Sequence, residues 1–337
     1  MATIHFLNVL EGDCTIIQHD SGHVSVIDVR NADNGIEIEE EILVRESDER
    51  KAMFSSSVPA TQKNYNQKAT PDNPIDYLKS IGVDSIFRFI ITHPDMDHLD
   101  GIKDLFETFN PTNTWDTDNN KQLDLKNWGG GFNKDDWKFY KNLRAGNNSK
   151  TKRLTYYSNT IPCQYWDKDY LKVLSPTPKL VKEANDSEDY NDVSYVILFT
   201  PPKKGGGHWK IVFGGDSHDK SWKHIMSAHE SDVSNVDILF APHHGRDSDR
   251  DWGFLKTLNP KLSLMGNASS EYLAYGKYPQ HITNNQAGYI ILDISLDAIK
   301  VYVENKDFAR DFCSKLNRAT PTFDRTKEAY LIGYIDA

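Results

Sequence analysis

The sequence predicts an α/β protein built in layers, on three observations. Short apolar runs rich in β-branched residues recur along the whole of its 337 residues. Helix-period segments fall between several of these runs. Three of the runs end in His or Asp beside Gly, which is the arrangement of a site at the carboxyl ends of strands.

The opening, "MATIHFLNVLEGDCTIIQHDSGHVSVIDVR", carries apolar runs at 4–9, 15–17 and 24–29 separated by Gly-Asp and Ser-Gly turn signals. It predicts a meander of strands. Residues 31–74 turn polar and read as an insertion. Its acidic stretch "EIEEEILVRESDER" predicts a helix, and "SSSVPATQKNYNQKATPDNP" predicts a loop. A short helix from Ile75 then leads to a strand at 86–91, and a second helix runs over 99–109. Residues 111–170 form a second insertion with four tryptophans, Trp115, Trp128, Trp137 and Trp166, whose weak periodicity gives no assignment. Strands are predicted at 170–174, 195–199, 209–213, 236–240, 262–265 and 289–294, and helices at 219–228 and 251–258. Residues 305–337 are a C-terminal extension to what reads as one layered domain.

Composition narrows the class. A hydrophobic fraction of 38% supplies a core, while a net charge of −10 argues against a chain that coats nucleic acid without specificity. Cys14, Cys163 and Cys313 lie far apart and make no CxxC pair, as expected of reduced thiols in a cytoplasmic protein. The N-terminus has no basic region and meets acidic residues early. No apolar run approaches the roughly 18 residues of a membrane span.

The chemistry is concentrated in three stretches. "THPDMDHLDG" (92–101) places His93, Asp95, Asp97 and His98 within six residues after an apolar strand. Residues two apart on an extended turn can point one way, so the loop can converge several ligands on one metal or on two adjacent ones. "IVFGGDSHD" places Asp216 after a strand and two glycines. "ILFAPHHGRDSD" places His243 and His244 after another strand, before Gly245.

Together these stretches resemble the metallo-β-lactamase superfamily, and within it the hydrolase domain of the DNA-uptake protein ComEC and its soluble relatives. The likeness covers roughly residues 3–295. It includes the opening strands with the Gly12-Asp13 turn and the strand-end Asp28, the HxDxDHxxG motif, "YLKVLSPT" and "NDVSYVILF" with Asn191 at the place of a third histidine, "FGGDS", "APHHGRDSD", and the closing "YGKYPQHITNNQAGYIILDI". This chain departs at three points. Phe240-Ala241-Pro242 precedes the double histidine where a lysine is frequent, Arg246 follows Gly245 in place of serine, and Gly276-Lys277-Tyr278-Pro279 with His281 stands where Tyr-x-His-Pro is common.

The resemblance implies an αββα sandwich with one or two divalent ions at one edge. It puts His93, Asp95 and the weak ligand Asn191 on one ion, Asp97, His98 and His243 on the other, and Asp216 between them. Asp97 and His244 are the catalytic candidates, His244 as general acid or phosphate contact. The oxygen-rich donor set brings Mn²⁺ and Mg²⁺ into competition with Zn²⁺. A phosphodiester, either a nucleotide or a short single strand of nucleic acid, is the expected substrate and partner. Lys150, Lys152, Arg153, Arg246 and His281 are its candidate contacts. Basic residues over 134–153, interleaved with Trp137 and Tyr140 and followed by Tyr156 and Tyr157, read either as a solvated basic loop or as a surface that tracks a backbone and stacks bases. The competing readings are a hydrolase of a non-phosphate ester, lactone or amide, and a binding or regulatory protein with a degenerate site.

Overall fold

A computed structural model of the chain describes residues 1–31, 63–126, 128, 131–160, 168–268 and 272–337. The acidic helix expected within the first insertion, Cys163 and Trp166 lie outside the described residues. Strands β1 (Ala2–Phe6), β2 (Thr15–Gln18), β3 (Val24–Ile27), β4 (Arg88–Ile90), β5 (Asn113–Trp115) and β6 (Lys152–Leu154) run side by side in a first sheet. Strands β7 (Leu171–Ser175), β8 (Val196–Phe199), β9 (Ile211–Phe213), β10 (Ile238–Phe240), β11 (Leu262–Met265) and β12 (His281–Thr283) make the second. The chain then returns to the first sheet with β13 (Ile290–Ile294), β14 (Ala298–Val303), β15 (Thr322–Asp324) and β16 (Ala329–Asp336). The full order of that sheet is β15-β16-β14-β13-β1-β2-β3-β4-β5-β6.

Alternation along each strand decides which face meets what. In β10, Ile238 and Phe240 point into the cluster between the sheets, where Ile4, Phe6, Ile90 and Phe213 also lie, while Leu239 points outward. In β4, Ile90 joins that central cluster and Phe89 the outer one. The outer face of the first sheet is covered by α1 (Pro74–Ser80), α2 (Ile102–Phe109) and α3 (Lys134–Arg144) through Leu78, Leu105, Phe106, Trp137 and Tyr140. Beyond α4 (Pro178–Ser187), the outer face of the second sheet is covered by α5 (Asp219–Ala228), α6 (Glu230–Val233) and α7 (Gly253–Leu258), through Trp222, Ile225, Val233 and Phe254. Helix, sheet, sheet, helix is the layer order the sequence led us to expect. Capping explains where helices begin: Asn73, Asn133 and Thr177 accept backbone N–H bonds at the first turns of α1, α3 and α4.

Two stretches that the sequence left without assigned elements are folded into the layers. Residues 111–170 contribute β5, α3 and β6 to the first layers, and Trp137 and Tyr140 are wholly buried there. They are core residues and cannot stack bases; Tyr156 is buried as well. The C-terminal stretch folds into α9 (Lys306–Lys315), which follows the short α8 (Asn284–Ala287), and into β15 and β16, of which β16 pairs antiparallel with β14. Among the described residues no helix is long and apolar enough to cross a membrane, and Cys14 and Cys313 are buried free thiols.

Candidate metal centre

Polar residues just beyond strands from both sheets converge at one place. Asp28 follows β3, the 92–98 loop follows β4, Asp216 follows β9, and His243 and His244 follow β10. The sequence builds this meeting point with residues in unusual backbone states. Asp28, His243 and His244 all have φ between 54 and 58°, a region few non-glycine residues adopt and one that clusters at functional sites. Gly12, at φ 118°, passes so close to the Asp97 carbonyl that any Cβ would overlap it.

Asp28 organises the first half of the site. One carboxylate oxygen accepts the Thr92 backbone N–H at 2.7 Å, and the other accepts the Thr92 hydroxyl at 2.5 Å and His98 Nδ1 at 2.8 Å. The Nδ1–H of His98 is thus committed, and its Nε2 lone pair faces the centre. On the other half, His244 Nδ1 lies 3.2 Å from Asp13, which turns its Nε2 inward in the same way. Asp216 is held by its backbone N–H, which donates to Ser194 Oγ at 3.1 Å.

Asp97, His98, Asp216 and His244 each offer a donor atom, all within 4.8 Å of one another. His98 Nε2 is 3.7 Å from Asp97 and 3.4 Å from Asp216; His244 Nε2 is 3.9 Å from Asp97 and 3.6 Å from Asp216. Donors about 2.1 Å from an ion in tetrahedral array stand about 3.4 Å apart, so these spacings fit edges of a coordination shell. His98 Nε2, His244 Nε2, His93 Nε2 and Asp216 Oδ1 are buried without hydrogen-bond partners, a costly state unless an ion engages them. Two imidazoles and two carboxylates suit a divalent ion.

Electrostatics agree. Burial disfavours charge on His98 and His244. Nevertheless Asp216, Asp97 and Asp28 raise His98 well above the ordinary histidine value, and Asp216 with Asp13 lifts His244 to about 9. Burial likewise opposes the charge of Asp216, but His244, His98 and His243 hold its carboxyl well below the usual range. The carboxylates at the centre call for positive charge, which a divalent ion supplies.

A second, looser group adjoins the first. His93 Nε2 is 3.9 Å and His243 Nε2 3.6 Å from Asp216 Oδ2, and His93 Nε2 is 3.8 Å from Asp95. His243 Nδ1 is engaged by His218 Nε2 at 2.8 Å, and burial pushes the His243 imidazole down to about 3. Asp95 carries a partner from elsewhere: Lys121 Nζ stands 2.5 Å from its Oδ1. Burial opposes the Asp95 charge, yet His93 and Lys121 hold the carboxyl below its ordinary value.

The structure thus brings His244, not His243, into the four-donor group with Asp97, His98 and Asp216, so the histidine expected to be the acid is one of the four donors that could hold an ion. Asn191 begins a 3-10 turn (Asn191–Val193) that leads into Ser194, the residue holding Asp216. The expected substrate contacts are dispersed. Arg153 pairs with Asp116 at 2.9 Å and reaches Asp118, so its guanidinium ties the insertion together. Lys152 is an exposed residue of β6, and Lys150 is exposed just before that strand. Arg246 lies over the Tyr272 ring, and His281, in β12, bonds the Tyr278 carbonyl and lines a cleft of about 620 Å³ beside α9. Lys121, His218 and Thr92 were not anticipated. His218 had a signal, standing two residues beyond Asp216 in "GGDSHD".

No family model matches the chain, and no curated protein does. Solved structures do. A diphosphatase of the PhnP family aligns at 10% identity over 78% of this chain and 85% of that one, with a TM-score of 0.33. The β-lactamase SMB-1 aligns at 11% identity over 71% and 76%, with a TM-score of 0.36. Igni18, a metallo hydrolase from the hyperthermophilic archaeon Ignicoccus hospitalis KIN4/I, aligns at 12% identity over 87% of this chain and all of its own length, with a TM-score of 0.44.

Proposed function

We propose that the protein is a metal-dependent phosphodiesterase acting on a nucleotide or a short single strand of nucleic acid, with Zn²⁺ or Mn²⁺ at the group formed by Asp97, His98, Asp216 and His244. The observation that carries this reading is the set of buried, unpartnered donor atoms turned to one point from both sheets. An ion there would lower the pKa of a water and polarise a phosphoryl oxygen. Asp28 and Asp13 fix the imidazoles of His98 and His244 so that each presents Nε2. Asp216 offers one oxygen toward His98 and the other toward His244, His93 and His243, so it ties the two groups together. Two carboxylates beside two imidazoles let a harder ion such as Mn²⁺ compete with Zn²⁺, and ions of that kind bind phosphate oxygens. The motif set quoted above is our reason for placing the chain beside the ComEC hydrolase domain, and the buried free thiols are our reason for placing it in the cytoplasm.

The test is hydrolysis of bis-p-nitrophenyl phosphate and single-stranded DNA by protein loaded with Mn²⁺ or Zn²⁺. Asp216→Ala and His98→Ala are expected to abolish cleavage. Turnover of carboxylic esters or lactones with none of phosphodiesters would refute the substrate class, and failure to bind either ion would refute the hydrolase itself.

A further inference from the structure

Resting on the reading of a metal centre at Asp216, we propose that the site holds a single ion, and that the Lys121 ammonium takes the position a second ion would need. The two groups around Asp216 are unequal. Asp97, His98, Asp216 and His244 are free to turn four donors on one point. In the neighbouring group of His93, Asp95 and His243, the only carboxylate besides the shared Asp216 is already bonded to a cation, at 2.5 Å. A divalent ion on Asp95 would sit about 2.1 Å from the carboxylate oxygen. Two cations at such distances from one oxygen repel at this partly exposed pair, so ion and ammonium exclude each other.

Lys121 is built into this position. Its backbone carbonyl accepts an N–H from Arg144 at 2.9 Å, and its backbone N–H donates to Asn119 Oδ1 at 3.3 Å. The neighbouring Asn120 is fixed from two sides, by Asn185 of α4 at 2.9 Å and by the Tyr190 hydroxyl at 2.7 Å. The ammonium lies 5.4 Å from the Tyr190 ring centroid, and the side chain is 18% exposed, so the pair is not sealed from solvent. Lys121 thereby supplies charge at a fixed place, with N–H donors toward a phosphoryl oxygen, where a second ion would supply charge and an open coordination position. It also gives residues 111–170 a role at the site.

The experiment is equilibrium dialysis of the full chain against excess Mn²⁺ or Zn²⁺, with ions per chain counted by plasma mass spectrometry. Wild type is expected to hold one ion, Lys121→Gln two, and Lys121→Gln with Asp95→Asn one again. Asp95→Asn alone is expected to keep one ion at an affinity within about twofold of wild type, which tests the idea in a protein that retains Lys121. Two ions in wild type, one in Lys121→Gln, or loss of the ion in Asp95→Asn would overturn the proposal and leave the hydrolase reading standing. No ion in any variant would overturn both.

Discussion

Replacing Asp28 by Asn tests whether the centre depends on the orientation of His98. Asn tolerates the backbone at φ 58°, so the change is confined to the side chain. The carboxylate accepts from three donors, Thr92 N–H on one oxygen and the Thr92 hydroxyl with His98 Nδ1 on the other. An amide has a single oxygen. If that oxygen faces Thr92 N–H, the amide N–H₂ faces His98 Nδ1, which must give up its proton; the proton moves to Nε2, and the ring no longer offers a lone pair to an ion. If the oxygen faces His98, the amide N–H₂ meets the Thr92 backbone N–H and leaves a buried donor unsatisfied, at about 1–3 kcal/mol. Either arrangement costs metal affinity or stability. Loss of such a partner typically weakens metal binding about 10–100-fold, or about 1.4–2.7 kcal/mol. Competition against a chromogenic chelator reads the affinity, and denaturant unfolding of the apo protein reads the stability. If Asp28→Asn changes neither, Asp28 does not govern His98 and the reasoning is wrong.

Three further outcomes follow from the same geometry. His244→Ala should lower metal affinity by more than about 100-fold and His243→Ala by less than about 10-fold, by the same competition assay, because only His244 belongs to the four-donor group; the reverse order would restore the assignment drawn from sequence. Arg153→Ala should leave KM for a phosphodiester unchanged while costing about 3 kcal/mol in urea unfolding, since it strands the buried Asp116; a raised KM at full stability would show Arg153 to be a substrate contact. Burial opposes the charge of Asp169, but His19 and hydrogen bonds from Ser21, His23 and Arg88 hold its carboxyl at about 2, below the ordinary 3.8. A depressed folded value means stability present above pH 4 and lost as the pH falls toward 2, worth about 2 kcal/mol. Asp169→Asn should flatten that part of the stability profile, and an unchanged acid dependence would refute the assignment.

The layers were legible because the apolar runs that make strands are local signals: the 262–265 strand and the 219–228 helix lie where periodicity puts them. The His and Asp loops were legible for the same reason, each being a short motif at the end of one strand. What failed was non-local. Lys121 meets Asp95 across 26 residues, from a stretch with no period to place it. The choice between His243 and His244 turns on two consecutive residues with positive φ, which no propensity foretells. Both sequence readings of Trp137 and Tyr140, a solvated basic loop or a stacking surface, left them exposed because basic neighbours surround them. Their spacing of three, continued by Leu143, is that of a buried helix face.

The four donors have a consequence for cohesion. Asp97 and His98 belong to the first sheet's loops, and Asp216 and His244 to the second's. Whatever binds all four rivets one half of the sandwich to the other, at an edge where polar loops rather than interlocking apolar side chains meet. Metal at a hundredfold excess over its dissociation constant adds about 2.7 kcal/mol to folding, and here that increment acts across the seam between layers. Chelation would therefore loosen the seam first, with amide exchange quickening in the 92–98 and 214–217 loops before the strands themselves give way.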